Sequence, residues 1–151
     1  GSTVLALSKL LDRKKNLTVV TNSLMAAAEL MESPHKLILV GGEFRALSRT
    51  FVGVLTDPII NMLRIKKAFL GTIGFSLDDG LSTTDPAEAH TKELVLRRSE
   101  KNIVLADSSK IGVSSFVASG SLADVQILIT DPRIQARTAK ELRKRKIEVI
   151  F

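Results

Sequence analysis

"NIVLADSSKIG", residues 102–112, carries two readings in one stretch. Its first half is a short apolar run, too short for a helix and rich in branched side chains, which predicts a strand buried on both faces. Its second half changes to small polar residues, a lysine and a glycine. The strand therefore delivers Asp107, Ser108, Ser109 and Lys110 to a loop at its carboxyl end. Whether that lysine clamps an anion or is a charge on a loop depends on how the other strands end.

Five more runs have the same character: "LTVVT" at 17–21, "KLILVGG" at 36–42, "KAFLGTIG" at 67–74, "VQILITD" at 125–131 and "IEVIF" at 147–151. Between them lie amphipathic segments that predict helices over 3–15, 23–33, 52–64, 85–101 and 133–146. Pro58 falls inside the third of these, where it either breaks the helix or marks its start after Asp57. Alternation of short strands with helices favours right-handed crossovers. The expected fold is α/β, a single three-layer domain over 1–151 with a mainly parallel sheet. Residues 42–52 and 74–86 lack periodicity and read as long loops.

Composition narrows the function. The 151 residues are 44% hydrophobic and 25% charged, which suits a folded domain. There is no cysteine, so no disulfide framework and no thiolate chemistry, and a cytoplasmic location is the expectation. No run approaches the roughly 20 apolar residues that span a bilayer, so no membrane partner is expected. The start at Gly1-Ser2 suggests a domain taken from a longer chain. Against 16 Asp and Glu stand 22 Lys and Arg, a net charge of +6, which raises the question of nucleic acid. The densest basic stretch, "RIQARTAKELRKRK" at 133–146, has the spacing of a surface helix, with a DNA-facing patch as its alternative. Aromatics are only 4%, which leaves few platforms for stacking bases.

Ligands of open parallel sheets bind outside the carboxyl ends of the strands, where helix N-termini present free N–H groups. Thr21, Asn22 and Ser23 end one strand and open a helix, as a plain cap or as ligand contacts. Gly41 and Gly42 end the next, as a turn or as a close backbone approach. Gly71 and Gly74 flank the end of a third. Asp85 can cap a helix with Pro86 at its first position and Glu88 three residues on, a capping-box arrangement, and Lys92 follows at i+4 from Glu88. If that helix start faces the strand ends, Glu88 and Lys92 bring an acid and a cation to the cleft. After Asp107, Ser108 and Ser109, Lys110 suits a phosphate, hydroxyls supplying hydrogen bonds and the ammonium a point charge. No dinucleotide fingerprint or phosphate-binding G-x-x-x-x-G-K-[ST] occurs, so no cofactor is expected. The two histidines, His35 and His90, lie in unrelated segments, so no metal is expected.

Taken together, "VVTNS" at 19–23, "GGEFR" at 41–45, "FLGTIG" at 69–74, "GLSTTDPAEAHTK" at 80–92, "ADSSKIG" at 106–112, "SF" at 115–116 and "ITD" at 129–131 resemble the C-terminal sensor domain of the DeoR family of bacterial transcriptional repressors. The resemblance covers nearly the whole chain in the family's order. It implies a fold similar to ribose-5-phosphate isomerase, glucosamine-6-phosphate deaminase and the CoA transferases, and a phosphorylated sugar or related metabolite as effector. It further implies that Gly1, Ser2 and Thr3 form a first ligand loop, that Thr21, Asn22, Gly41 and Gly42 form the next two, and that Asp85, Glu88, Lys92, Asp107, Ser109 and Lys110 complete the site. Ser23 and Gly74 are added from their places at strand ends.

The chain departs from the family pattern at Ile65-Lys66-Lys67, where members usually have an acid, and near Ile73, where a polar or acidic residue is common, and loss of such acids counts against proton-transfer chemistry on a sugar. The expected function is therefore a non-enzymatic effector sensor with no catalytic residue. It would act as a homo-oligomer and reach DNA only through an N-terminal helix-turn-helix that this sequence lacks. The alternative is a phosphosugar isomerase or deaminase on the same fold, with Asp85 or Glu88 as base.

Overall fold

A computed structural model describes residues 2–151, with only the backbone of Asp12. Two ladders of parallel strands form its sheet layer. The first pairs β1 (Thr18–Thr21) with β2 (Lys36–Leu39), joined through α2 (Leu24–Leu30). The second has the order β11, β10, β8, β5, from Glu148–Ile150, Ile127–Ile129, Ser99–Leu105 and Ile65–Gly71. All its pairings are parallel. Among the described residues no hydrogen-bonded ladder joins β1 to β5.

Side-chain alternation along β5 shows the layering. Ala68 and Leu70 face the main core, which includes Leu96 of α4 (Pro86–Arg98). Gly71 has the opposite parity, and a Cβ built there would lie 3.5 Å from Val4 of α1 (Ser2–Ser8). Helices α1 and α4 thus cover opposite faces of the sheet, as the expected three-layer α/β class requires. Val104 and Leu128 are fully buried at the centre of that core, and α5 (Ala136–Lys144) adds Ala139 and Leu142. The valine and leucines among them each contribute roughly 1.5–3 kcal/mol of transfer free energy. The charges of α5 lie on its outer face: Ala139 and Leu142 are its buried residues, and Lys144 pairs with Glu141 at 2.8 Å.

Several expected boundaries move. The opening helix ends at Ser8 and is followed by a 3-10 turn at Leu11–Arg13. Pro58 lies in the first turn of α3 (Asp57–Met62), behind a 3-10 turn at Val54–Thr56, so it starts a helix and kinks none. Strand β8 begins at Ser99, directly after α4, although residues 99–101 read as helix in the sequence.

The larger correction concerns the two stretches read as loops. Residues 42–52 hold an antiparallel hairpin, β3 (Glu43–Arg45) and β4 (Thr50–Val52), with Arg45 opposite Thr50. Residues 74–86 hold β6 (Gly74–Ser76) and β7 (Gly80–Thr83), which join β9 (Val117–Gly120) in a three-stranded antiparallel sheet. Strands of three or four residues are too short to show period-two alternation, and β6 and β7 are buried at every position, so no polar face marks them. The DDG stretch at 78–80 does make the turn between them, closed by Ser76 Oγ accepting from Asp79 N at 2.9 Å.

Candidate functional site

The site is built at the carboxyl ends of the parallel strands. Asp107 follows β8 in extended conformation and caps a 3-10 turn, Ser108–Lys110. Its Oδ1 accepts from Ser109 N at 3.1 Å and also from the Ser109 hydroxyl. These hydrogen bonds, above all the hydroxyl's, hold the Asp107 carboxyl below the usual carboxylate range. The same turn sets Lys110 Nζ 4.0 Å from Asp107 Oδ2. A second carboxylate, at the end of the neighbouring strand β10, secures it from behind: Asp131 Oδ2 accepts from Ser108 N at 2.7 Å.

The start of α4 supplies the acids. Asp85 is extended, Pro86 occupies the first turn, and Asp85 Oδ1 accepts from Glu88 N at 2.8 Å. The Glu88 side chain does not return to the Asp85 backbone to complete a capping box. Instead its Oε2 accepts from Thr83 Oγ1 at 3.2 Å and lies 3.7 Å from Arg45 Nη1. Arg45 Nε is also 3.4 Å from Asp85 Oδ2. The acid pair therefore faces the β3–β4 hairpin at the sheet rim. One turn further along α4, burial lowers the pKa of Lys92 below the ordinary lysine range. Glu88 opposes that shift, and Lys110 and Arg45 add to it. Two other chain segments thus bring Arg45 and Lys110 within electrostatic reach of Lys92, and Arg45 also meets Asp85 and Glu88.

The first two strand ends join this cluster through the hairpin. Asn22 Nδ2 donates to Phe51 O at 2.8 Å, Phe51 N donates back to Asn22 O at 2.8 Å, and Ser23 bridges Thr50. Thr21 Oγ1 accepts from Ser23 N, and Ser23 Oγ accepts from Ala26 N as the cap of α2. All three side chains thus have roles in local structure. Gly41 borders open space, whereas a Cβ on Gly42 would lie 2.9 Å from Thr56 Cγ2 and 3.0 Å from Val52 O. Glycine at 42 is required by packing under the hairpin. The hairpin in turn is tied to α4, since Gly53 N donates to Ala87 O at 3.2 Å and to Thr91 Oγ1 at 3.0 Å.

Three predicted residues stand apart. Ser2 and Thr3 open α1 near the end of β5, and both are exposed; Gly1 lies outside the described residues. Gly74 belongs to the antiparallel sheet, where a Cβ would meet Ser82 Oγ and the Val113 carbonyl at 2.5 Å. Its small size serves strand packing. Two open hollows, of about 600 and 180 Å³, lie around the β6–β7 turn and contain none of the predicted residues.

Two residues of the cluster were not singled out from sequence. Arg45 stands inside the quoted "GGEFR" and Asp131 inside "ITD", so the signal was present. What was missing was the hairpin that turns Arg45 toward α4 and the strand order that sets Asp131 beside Ser108. His90 pairs through Nε2 with Asp57 Oδ1 at 2.7 Å, linking α4 to α3. Among the described residues no group of three or more His, Cys, Asp or Glu could hold a metal ion, and no helix is long and apolar enough to cross a membrane.

A helix-covered α/β sheet whose strand ends gather both cations and carboxylates defines a class of domain suited to a small, polar, charged ligand. The chain belongs to the DeoR family: residues 1–132 match the DeoR C terminal sensor domain. It is 30% identical over 150 residues to the HTH-type transcriptional regulator GlpR of Haloferax volcanii, covering 99% of this chain and 59% of that protein. It is 33% identical over 142 residues to the HTH-type transcriptional regulator GolR of Listeria innocua (93% and 56%). It is also 33% identical over 135 residues to the lactose phosphotransferase system repressor of Staphylococcus epidermidis (87% and 53%). The chain thus spans about half the length of these relatives. All three are named as regulators or repressors, which supports a non-enzymatic regulatory domain over the isomerase alternative.

Proposed function

We propose that this sensor domain binds a phosphorylated sugar or a related anionic metabolite at the rim formed by residues 85–92 and 107–110. The observation that carries the reading is that half-buried Lys92 lies within electrostatic reach of Lys110 on the next loop and of Glu88, which shares Arg45 with Asp85. The lysines hold a phosphate as point charges, and the carboxylates accept from sugar hydroxyls. A relative named for a lactose phosphotransferase system supports a sugar-derived effector. The strand-end residues Thr21, Asn22, Ser23, Gly41 and Gly42, with Asp107 and Ser109, shape the rest of the rim, and Ser2 and Thr3 at the start of α1 are left out of it.

In this reading the domain is one self-contained unit that works in the cytoplasm as a homo-oligomer. It governs operator binding by a separate helix-turn-helix, and the ligand acts by favouring one of two arrangements of the whole regulator. Near-complete switching needs roughly a 10⁴-fold difference in affinity between the two. The test is a thermal-shift screen of phosphorylated and unphosphorylated sugars. A ligand at 100 times its Kd raises stability by about 2.7 kcal/mol, so a true effector stands out, and a screen in which phosphorylated and plain sugars behave alike rejects the proposal. Turnover of any phosphosugar by the purified chain would return the isomerase alternative.

A further inference from the structure

We infer that Arg45 is a reserve cation of the anion site, held by Asp85 and Glu88 while the site is empty and transferred to the ligand's phosphate when ligand hydroxyls occupy those acids. The inference rests on the proposed phosphate reading and deepens it.

The contacts of Arg45 are loose. At 3.4 and 3.7 Å both exceed the roughly 2.7–2.9 Å of a charge-assisted hydrogen bond, and they go to two different carboxylates in place of a bidentate fork on one. Its side chain is only 19% exposed, so the charge is drawn partly out of water without an optimal partner. Such a group gains by moving to a better one. Both acids keep a partner when Arg45 leaves, because Asp85 still accepts from the Glu88 amide and Glu88 from Thr83. They therefore remain in place to meet hydroxyls.

Charge balance points the same way. Around the rim Arg45, Lys92 and Lys110 face Asp85, Glu88 and Asp107, so six charges cancel, and a phosphate dianion entering that set needs a cation released from its carboxylate. Arg45 is the cation whose release frees both acids: Lys110 lies 4.0 Å from Asp107, whereas Arg45 contacts Asp85 and Glu88 together from a short hairpin whose tip residue Leu47 is 83% exposed. A guanidinium also matches phosphate oxygens in a way that an ammonium does not. The consequence is a specificity rule: a bare phosphate must compete with the acids for Arg45, and a phosphate carrying hydroxyls at the right distance need not.

The test uses inorganic phosphate as the probe, titrated calorimetrically into this chain at constant ionic strength. Arg45→Gln, Asp85→Asn/Glu88→Gln and the triple variant form a cycle, with Lys110→Ala as reference. Asn caps a helix as well as Asp does, so the start of α4 is preserved, and thermal melts check that each variant folds. Arg45→Lys serves as a second variant that keeps the charge and removes the fork. Removing the two acid charges is expected to tighten phosphate binding roughly tenfold when Arg45 is present and by much less when position 45 is Gln, while Arg45→Lys gives an intermediate gain. An equal gain with either residue at 45, or no effect of Arg45→Gln and Arg45→Lys in any background, overturns the inference alone. Loss of phosphate binding in Lys110→Ala with no contribution from Arg45 leaves the phosphate reading standing and removes the reserve-cation role. If phosphate binds neither the unaltered chain nor the Asp85→Asn/Glu88→Gln variant, or binds the unaltered chain and Lys110→Ala equally, the phosphate reading fails and Arg45 goes with it.

Discussion

Asp131 Oδ2 takes the Ser108 amide at 2.7 Å, so the end of one parallel strand holds the turn that follows its neighbour. The side-chain hydrogen bond from Arg133, followed by the one from the Ser108 amide, holds the Asp131 carboxyl far below its ordinary range. A carboxylate whose folded pKa is depressed contributes fully above its unfolded value, near 3.9, and loses that contribution only as pH falls through the folded value. The Ser108 amide resonance should therefore hold its bonded position down through the pH range where ordinary carboxylates protonate, and move only below it. A midpoint near 3.9 would show that the brace is not formed in solution.

Lys110 projects from that braced turn. Replacing it with Ala removes a charge-assisted contact of the kind that contributes about 1.5–3 kcal/mol, or roughly tenfold to a hundredfold in affinity. Calorimetry with whichever phosphosugar the thermal screen selects should show that loss at an unchanged melting temperature. Undiminished affinity would remove Lys110 from the site.

Lys92 carries an opposed pair of effects. Burial disfavours its ammonium, so Lys92→Met should leave the melting temperature unchanged or raise it, while anion affinity falls. The pH dependence has matching signs. Between the lowered folded pKa and the unfolded value near 10.4, the unfolded chain binds more protons, so this residue's contribution to stability rises with pH. Across the same window anion affinity declines. Melting curves and titrations over the alkaline range check both, and a Lys92→Met variant that melts well below the parent would refute the burial argument.

Gly74 separates packing from binding. An added methyl has no room between Ser82 and the Val113 carbonyl, so Gly74→Ala should destabilise by about 1–3 kcal/mol in urea unfolding. Ligand affinity of the folded fraction should be unchanged. Weaker binding without destabilisation would restore Gly74 to the ligand site, where its place at a strand end first put it.

The parallel strands were legible because each is a run of branched apolar residues with its polar break at one end; "NIVLAD" is the clearest case, and its loop stands where expected. The α4 start was legible too, since Asp85, Pro86 and Glu88 have positional meanings in a helix that no other element shares. The hairpin and the antiparallel sheet were not. Glu43, Phe44 and Arg45 carry no period, and the pairing that makes them a strand depends on Thr50, Phe51 and Val52 returning beside them. Arg45 was overlooked for that reason: its partners lie about 40 residues further on, in an element that local spacing cannot connect to it.

Helix α4 has 13 residues and therefore a length of about 20 Å. Its first turn carries Glu88 beside the capping Asp85, and at its last turn Arg98 Nη2 grips the Leu63 carbonyl at 2.9 Å; between them His90 and Thr91 fasten it to α3 and to the segment that follows β4. A rod clasped at so many points does not flex locally. In the proposed reading, a tilt imposed on the first turn of this helix would therefore carry through to its contact with Leu63 at the far end.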